Sequence, residues 1–331
     1  MNTDELVVLT PREIQCLLSI DDCINAIEQA FRLHGEHKAA PPQVLSVHAD
    51  DGAFHVKPGI LNLGRTYFAA KVNGNFPRNG SRSGLPTIQG VVILCDSSNG
   101  TPLAVMDSRD ITALRTAAAT AVAAKYLARK DSQSLTICGC GQQGRVHLKA
   151  LIHIFRFSKI FAYDKQEEQA ERFSRQLSTE LGLIVTPVAD LISAVQQSDI
   201  VATCTTSCQP ILSAEDIRPG TFIAAVGADN PQKQELHPSV IARSKVVCDI
   251  LEQCAAMGDL HHALEAGVVT KSRIYAELGE VVARLKPGRE SETETIVFDS
   301  TGMALQDVAA AAVLYEKAER NGSGVRINTA A

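Results

Sequence analysis

The chain has 331 residues, 45% hydrophobic and 21% charged, with a formal net charge of -5. That mix excludes a disordered chain and suits two domains with separate cores, and the missing basic field argues against nucleic-acid or membrane partners. The nine cysteines show no paired CxxC and no HxxxH, so no zinc site is expected and the thiols read as small buried groups.

Residues 1–5 are acidic and lack the basic start and apolar core of a signal peptide. No apolar run approaches the ~20 residues needed to span a bilayer, so a cytoplasmic protein is expected. A short strand over 6–9 precedes two helices. Thr10-Pro11-Arg12-Glu13 has the form of a capping box with proline at the first helical position. Asp21 or Asp22 is the expected cap of the second helix, which should run through Phe31. Apolar runs at 44–47, 53–56, 67–72 and 91–95, separated by Gly, Pro and Asn, predict short strands of an antiparallel or mixed sheet. Residues 111–128 are alanine-rich with few breakers and read as one long helix.

From Ser134 the pattern changes. Strand candidates at 134–138, 159–163, 184–188, 200–203, 221–226, 245–249 and 295–298 alternate with helical stretches, the mark of a parallel, doubly wound sheet. A last helix is expected over 306–320, followed by a polar tail that contains glycine.

Gly139-Cys140-Gly141-Gln142-Gln143-Gly144 follows an apolar strand and opens a helix. Gly139 would permit the tight turn, Gly141 the close approach of backbone to a pyrophosphate, and Gly144 the packing of helix on strand. The helix N-terminus adds amides and a positive dipole end. Asp164 ends the next strand, 20 residues past Gly144, where an acid bonds the adenosine ribose. The alternative is a glycine-rich turn with no ligand. A carboxylate at 164 repels a 2′-phosphate, which favours NAD(H); the adjacent Lys165 softens that repulsion and leaves NADP(H) open.

Three charged residues are candidates for chemistry. Asp229, in Val226-Gly227-Ala228-Asp229-Asn230-Pro231, follows a strand at the edge where ligands of such sheets bind, and can take or give a proton. It reads equally as a turn-forming Asp. Lys71 in a strand and Arg115 in the alanine-rich helix need anionic partners, which a substrate carboxylate would provide. The plainer alternative is a solvated or snorkelling charge.

Taken in order, Lys71-Val72-Asn73, Gly84-Leu85-Pro86-Thr87-Ile88-Gln89-Gly90, Leu114-Arg115-Thr116, the glycine motif, Val226-Gly227-Ala228-Asp229, Phe298-Asp299-Ser300-Thr301-Gly302 and Gln306-Asp307 make a chain that resembles the ornithine cyclodeaminase/μ-crystallin family. The resemblance implies an α/β protein: a Rossmann NAD-binding domain over 116–305, and an α+β substrate and dimerisation domain over 1–115 with 306–331. It implies a homodimer with the active site in the cleft between the domains. It makes Lys71 and Arg115 holders of a substrate carboxylate and Asp229 the acid/base group. Thr87, Gln142, Gln143, Asp164, Thr205, Val226, Lys233 and Ser300 fall where the family lines the nucleotide, with Arg115 and Thr116 beside them, and Thr301 falls beside the substrate.

Two departures bear on the substrate. Members that cyclise ornithine typically carry arginine where this chain has Gln43, and glutamine offers no charged fork to a carboxylate. Lys57 stands where methionine is more common, so the acid-binding pocket is rebuilt. The expected activity is an NAD(P)-dependent imino-acid reductase or amino-acid dehydrogenase acting on a small amino or imino acid. Ornithine cyclodeaminase-type deaminating cyclisation is the alternative, and a non-catalytic, crystallin-like binding protein the lesser one.

Overall fold

The computed structural model describes residues 5–41 and 43–329; the acidic start over 1–4, Pro42 and the last two residues lie outside them. The chain divides into two compact units, Met1–Arg115 with Met303–Ala331, and Thr116–Gly302. The first unit opens with β1 (Glu5–Leu9), α1 (Pro11–Leu17), α2 (Ile20–Gly35), β2 (Leu45–Ala49), β3 (Gly52–Asn62), β4 (Thr66–Asn75), α3 (Asn79–Ser83), β5 (Ile88–Asp96) and β6 (Pro102–Asp107), and enters α4 (Ser108–Leu127). Helix α1 starts with the expected box, Thr10 and Glu13 bonding each other's backbone. Helix α2 corrects the expectation at its start and its end. Its cap is Ser19, whose hydroxyl accepts from Asp22 N–H while Asp22 accepts from Ser19 N–H, so Asp22 is the third-position partner and Asp21 lies inside the first turn. It continues past Phe31 to Gly35, burying Cys23, Ile24, Ile27, Ala30 and Phe31 along one stripe.

The second unit adds β7 (Ser134–Cys138), α5 (Gln142–Ile154), β8 (Lys159–Tyr163), α6 (Glu167–Leu181), β9 (Val185–Pro187), α7 (Leu191–Val195), β10 (Ile200–Thr203), β11 (Cys208–Leu212), β12 (Phe222–Ala225), β13 (Gln234–Leu236), α8 (Pro238–Arg243), β14 (Lys245–Cys248), α9 (Leu251–Met257), α10 (Asp259–Glu265), β15 (Ala276–Glu277), α11 (Leu278–Val282) and β16 (Ile296–Asp299). Its eight-stranded sheet has the order β15-β14-β16-β12-β10-β7-β8-β9, parallel throughout. This is the doubly wound Rossmann arrangement read from the sequence, with β7 at the switch point between β8 and β10. Fully buried runs such as Ser134–Cys138 and Ile200–Thr203 reflect helices on both faces. The two-residue β15 and the small β11–β13 sheet were not anticipated; neither carries an apolar run long enough to register.

The chain then returns to the first unit with α12 (Ala304–Asn321) and β17 (Val325–Asn328). Within the polar tail Val325–Asn328 forms a strand, because it pairs antiparallel with β1 and caps that sheet edge. The seven strands run β17-β1-β6-β5-β4-β3-β2. Only β1–β6 is parallel, giving a mixed sheet. Strand β3 was read too short because Pro58 breaks its pattern. Pairing with β2 stops at Val56, so Pro58 sits where β3 has become an edge and its missing N–H costs nothing. Helix α12 packs on one sheet face, where a Cβ at Gly59 would come within 3.2 Å of Ala304 and Val308. The opposite face leaves Leu45, Val47, Phe54, Ile60, Val91, Val325 and Ile327 between 38% and 58% exposed. No helix among the described residues is long and apolar enough to cross a membrane.

Candidate functional site

Register in the first unit sets Lys57 on β3 directly opposite Lys71 on β4, on the face that packs against α12. Lys71 is 3% exposed and Arg115 5%, and both converge on Asp307 of α12, itself 1% exposed. Lys71 Nζ donates to Asp307 Oδ1 at 3.0 Å and lies 2.9 Å from Oδ2. Arg115 Nε is 3.1 Å from Oδ1, and its Nη1 donates to Gln306 Oε1 at 2.8 Å. One buried carboxylate therefore serves two buried cations, a balance that leaves a net positive charge out of water. Burial first, then the charges of Arg115 and Lys57, overcome Asp307 and lower the Lys71 ammonium to about 7. Burial works to raise Asp307, but Lys71, Arg115 and Lys57 hold it below the usual carboxylate range.

Hydrogen-bonding capacity is left over at the same place. Among the described residues Gln306 Nε2 is buried without a partner, and Arg115 Nε makes an ion pair but no hydrogen bond. An anion with two acceptor oxygens would satisfy both the charge and the donors. Lys57 is half-buried beside the pair, whereas Gln43 lies exposed ahead of β2 and makes none of these bonds. Thr87 is also exposed, its carbonyl accepting from Phe76 N–H at 2.8 Å.

In the second unit the glycine motif has the geometry a pyrophosphate needs. Gly139 takes φ +98°, and a Cβ at Gly144 would lie 2.1 Å from Gly139 O, so the helix can close on the strand only with glycine there. A Cβ at Gly141 meets nothing within 4 Å, which leaves room over the N-terminus of α5. That turn holds Gln142 and Gln143 and no acid. Asp164 is tied to the loop: Oδ2 accepts from Cys140 N–H at 2.9 Å and Oδ1 from Gln166 N–H at 3.0 Å. Each oxygen keeps capacity to accept from a ribose hydroxyl. Lys165 is exposed, and Thr116 is half-buried on α4.

At the carboxyl ends of β10, β12 and β16 lie Thr205, Val226 and Ser300. Asp229, 44% exposed, pairs through Oδ1 with Lys233 Nζ at 2.7 Å, a bond within the loop that the sequence reading lacked. Ser300 and Thr301 are buried and held from behind. Asp249 accepts from Gly302 N–H at 2.6 Å and Ser300 Oγ at 3.0 Å, while Gln253 Nε2 donates to Thr301 Oγ1 at 2.7 Å and Gly302 O at 3.0 Å. Asp249, Gln253, Gln306 and Asp307 were given no role from sequence. A signal existed for three of them: Asp249 follows the apolar run Val246–Cys248, and Gln306 and Asp307 interrupt an otherwise apolar helix start. Among the described residues no group of three or more His, Cys, Asp and Glu is placed to hold a metal ion.

A family model described as ornithine cyclodeaminase/mu-crystallin matches residues 4–322. An archaeal alanine dehydrogenase dimer with bound NAD superposes with a TM-score of 0.93 at 39% identity, over 98% of this chain and 99% of that one. The Thermococcus litoralis Δ(1)-pyrroline-2-carboxylate reductase in complex with NADH and L-proline gives 0.92 at 33% identity, over 97% and 100%. The Paracoccus denitrificans iminosuccinate reductase in complex with NAD+ gives 0.90 at 32% identity, over 98% and 99%.

If Lys71 loses its proton near pH 7, an anion bound beside it should be released as pH rises. The sign follows from linkage: the lysine is charged below that value, a bound carboxylate favours the charged form, and affinity declines once the free protein deprotonates. Affinity for a simple carboxylate ligand, measured by calorimetry, is expected to fall about tenfold per pH unit above 7. Lys71→Arg, whose guanidinium keeps its proton, is expected to give a flat profile to pH 9. Parallel profiles for the two proteins would show that Lys71 does not control the site.

Proposed function

The chain belongs to the ornithine cyclodeaminase/mu-crystallin family, and on that premise we propose that it is an NAD(H)-dependent oxidoreductase exchanging hydride at the nitrogen-bearing carbon of a small α-amino or α-imino acid. The observation that carries this reading is the buried Lys71–Asp307–Arg115 cluster, short of one negative charge, in a chain whose other unit bears a phosphate-binding loop. The three solved relatives support it: their names join NAD(H) with alanine, pyrroline-2-carboxylate or iminosuccinate, each a carboxylate next to a carbon bonded to nitrogen.

In this reading the amides opening α5 and the side chains of Gln142 and Gln143 hold the pyrophosphate. Asp164 holds the adenosine ribose, and its charge disfavours NADP(H). Arg115, Thr116, Thr87, Thr205, Val226, Lys233 and Ser300 line the rest of the dinucleotide. The bound nicotinamide supplies the hydride. Lys71 and Arg115 grip the substrate carboxylate, with Lys57 completing the pocket that Gln43 leaves without a cation, and Thr301 stands beside the substrate. Asp229 gives a proton to the substrate nitrogen in reduction and takes it back in oxidation, oriented through its bond to Lys233.

Stoichiometry tests the function. A spectrophotometric screen against cyclic imino acids, and against 2-oxo acids with amines, should show net NADH consumption, with NADPH poorer. Ammonia released from a diamino acid without net change in NADH would instead establish the cyclodeaminase reading. The mechanism turns on Asp229. Asp229→Asn is isosteric, and should leave NADH affinity nearly intact while lowering kcat by about 10²–10⁴. Retention of more than about a tenth of kcat, with a deuteride isotope effect showing chemistry to be rate-limiting, would remove Asp229 from the proton step.

The exposed apolar side chains on one face of the seven-stranded sheet are read as the seat of a second copy, since exposed apolar surface of this kind marks association surfaces and an archaeal relative is a dimer. Sedimentation velocity should give a homodimer, and Phe54→Lys with Val47→Lys should shift it to monomer. A wild-type monomer at micromolar concentration would refute the assignment.

A further inference from the structure

The nucleotide reading places adenosine over β8, at Asp164, and the pyrophosphate at the end of β7. The other half of a dinucleotide then extends over the carboxyl ends of β10 and β12, on the opposite side of β7. The loops leaving those strands carry Thr205, Val226 and Asp229. One side chain joins them. Glu235 of β13 is fully buried, and its Oε1 accepts from Thr205 N–H at 2.6 Å. Its Oε2 accepts from Gly227 N–H at 2.8 Å and from the Thr203 hydroxyl at 2.6 Å.

Each carboxyl oxygen thus faces a backbone N–H, so the group must accept on both sides. An amide of the same size fails, because its NH₂ would oppose one of those donors. The fit is close. A Cβ at Gly227 would lie 2.5 Å from Glu235 Cδ and Oε1, and 2.5 Å from Thr205 O, so the second loop can lie against the carboxylate only as glycine. Glu235 is itself braced from behind. Its N–H and that of Leu236 donate to Asp259 Oδ1, each at 2.8 Å, and Leu260 N–H donates to Asp299 of β16 at 2.9 Å.

Resting on the nucleotide reading above, we propose that Glu235 is the positioning residue for the nicotinamide half of the bound dinucleotide, holding the loops after β10 and β12 in the one relation from which Thr205, Val226 and Asp229 project. The test is paired titration of wild type and Glu235→Gln with NADH and with ADP, which keeps the adenosine and two phosphates but lacks the nicotinamide half. NADH affinity should fall by at least about tenfold, the loss expected for one hydrogen bond to a charged group, while ADP affinity stays within about twofold. KM for NADH should rise with the loss of affinity, and kcat should fall. An equal loss for both ligands would reduce Glu235 to general structural support, and unchanged NADH affinity would remove it altogether. Should Glu235→Gln not fold, Thr203→Val removes one of the three donors without changing size, and its two affinities decide by the same criterion. Wild-type protein that binds neither ligand overturns the nucleotide reading, and this inference with it. Wild-type protein that binds both, beside a variant that matches it, overturns this inference alone.

Discussion

Asp307 is the constraint on which the first unit is built. Lys71 and Arg115 are both nearly out of water, and burying either alone costs several kcal/mol. One carboxylate makes their burial tolerable. It needs α12 pressed against the sheet, which Gly59 permits by offering no side chain at the contact. It needs the β3–β4 register to turn Lys71 toward that helix, and α4 to deliver Arg115 at its eighth residue. The same carboxylate cannot neutralise both cations. The residue of positive charge makes the cluster a receptor for an anion, where a second acid would have made it only an internal ion pair.

The second unit solves a different problem with the same chemical group. Loops leaving a parallel sheet carry N–H groups that no neighbouring strand can accept, and buried ones must find partners. Here Glu235 and Asp249 accept them at the carboxyl edge, while Asp259 accepts from the backbone of β13 and Asp299 from the first turn of α10. Such acids are costly. Burial, and then the charge of Glu235, raises Asp259 to about 7, and burial with Asp259 beside it raises Asp299 well above the ordinary range. A neutral amide would avoid that cost but accepts at only one of its two ends. The edge of the sheet trades electrostatic comfort for loops with little freedom.

The parallel sheet was legible in the sequence because strands buried on both faces are uninterrupted apolar runs. The glycine motif was legible because its strand, helix and distant acid are all local in sequence. Lengths in the antiparallel sheet were not, since Pro58 and the glycines of β3 and β4 break an alternation that only pairing restores. The cap of α2 was misplaced because Ser, Asp and Asp stand almost together, and only backbone geometry separates cap from third position. Lys71 and Arg115 were identified as cations needing an anion, but Asp307, more than 190 residues past Arg115 in the chain, could not be joined to them by spacing. Glu235 stands in a polar stretch that offers no motif or spacing by which to single it out. Its importance comes from two loops that meet only in the fold.

The first unit closes with residues from both ends of the chain, β17 lying against β1 and α12 on the sheet. That has a consequence for the order in which the molecule comes into being. On the ribosome residues 116–302 emerge as a finished stretch, needing nothing still to be synthesised for its sheet. The N-terminal strands emerge first yet must wait, with the side of their sheet destined for α12 uncovered and two lysines facing each other without their acid, until the last thirty or so residues arrive. The unit that begins first is thus completed after the one that follows it, and the segment that completes it also brings the charge that makes its interior tolerable.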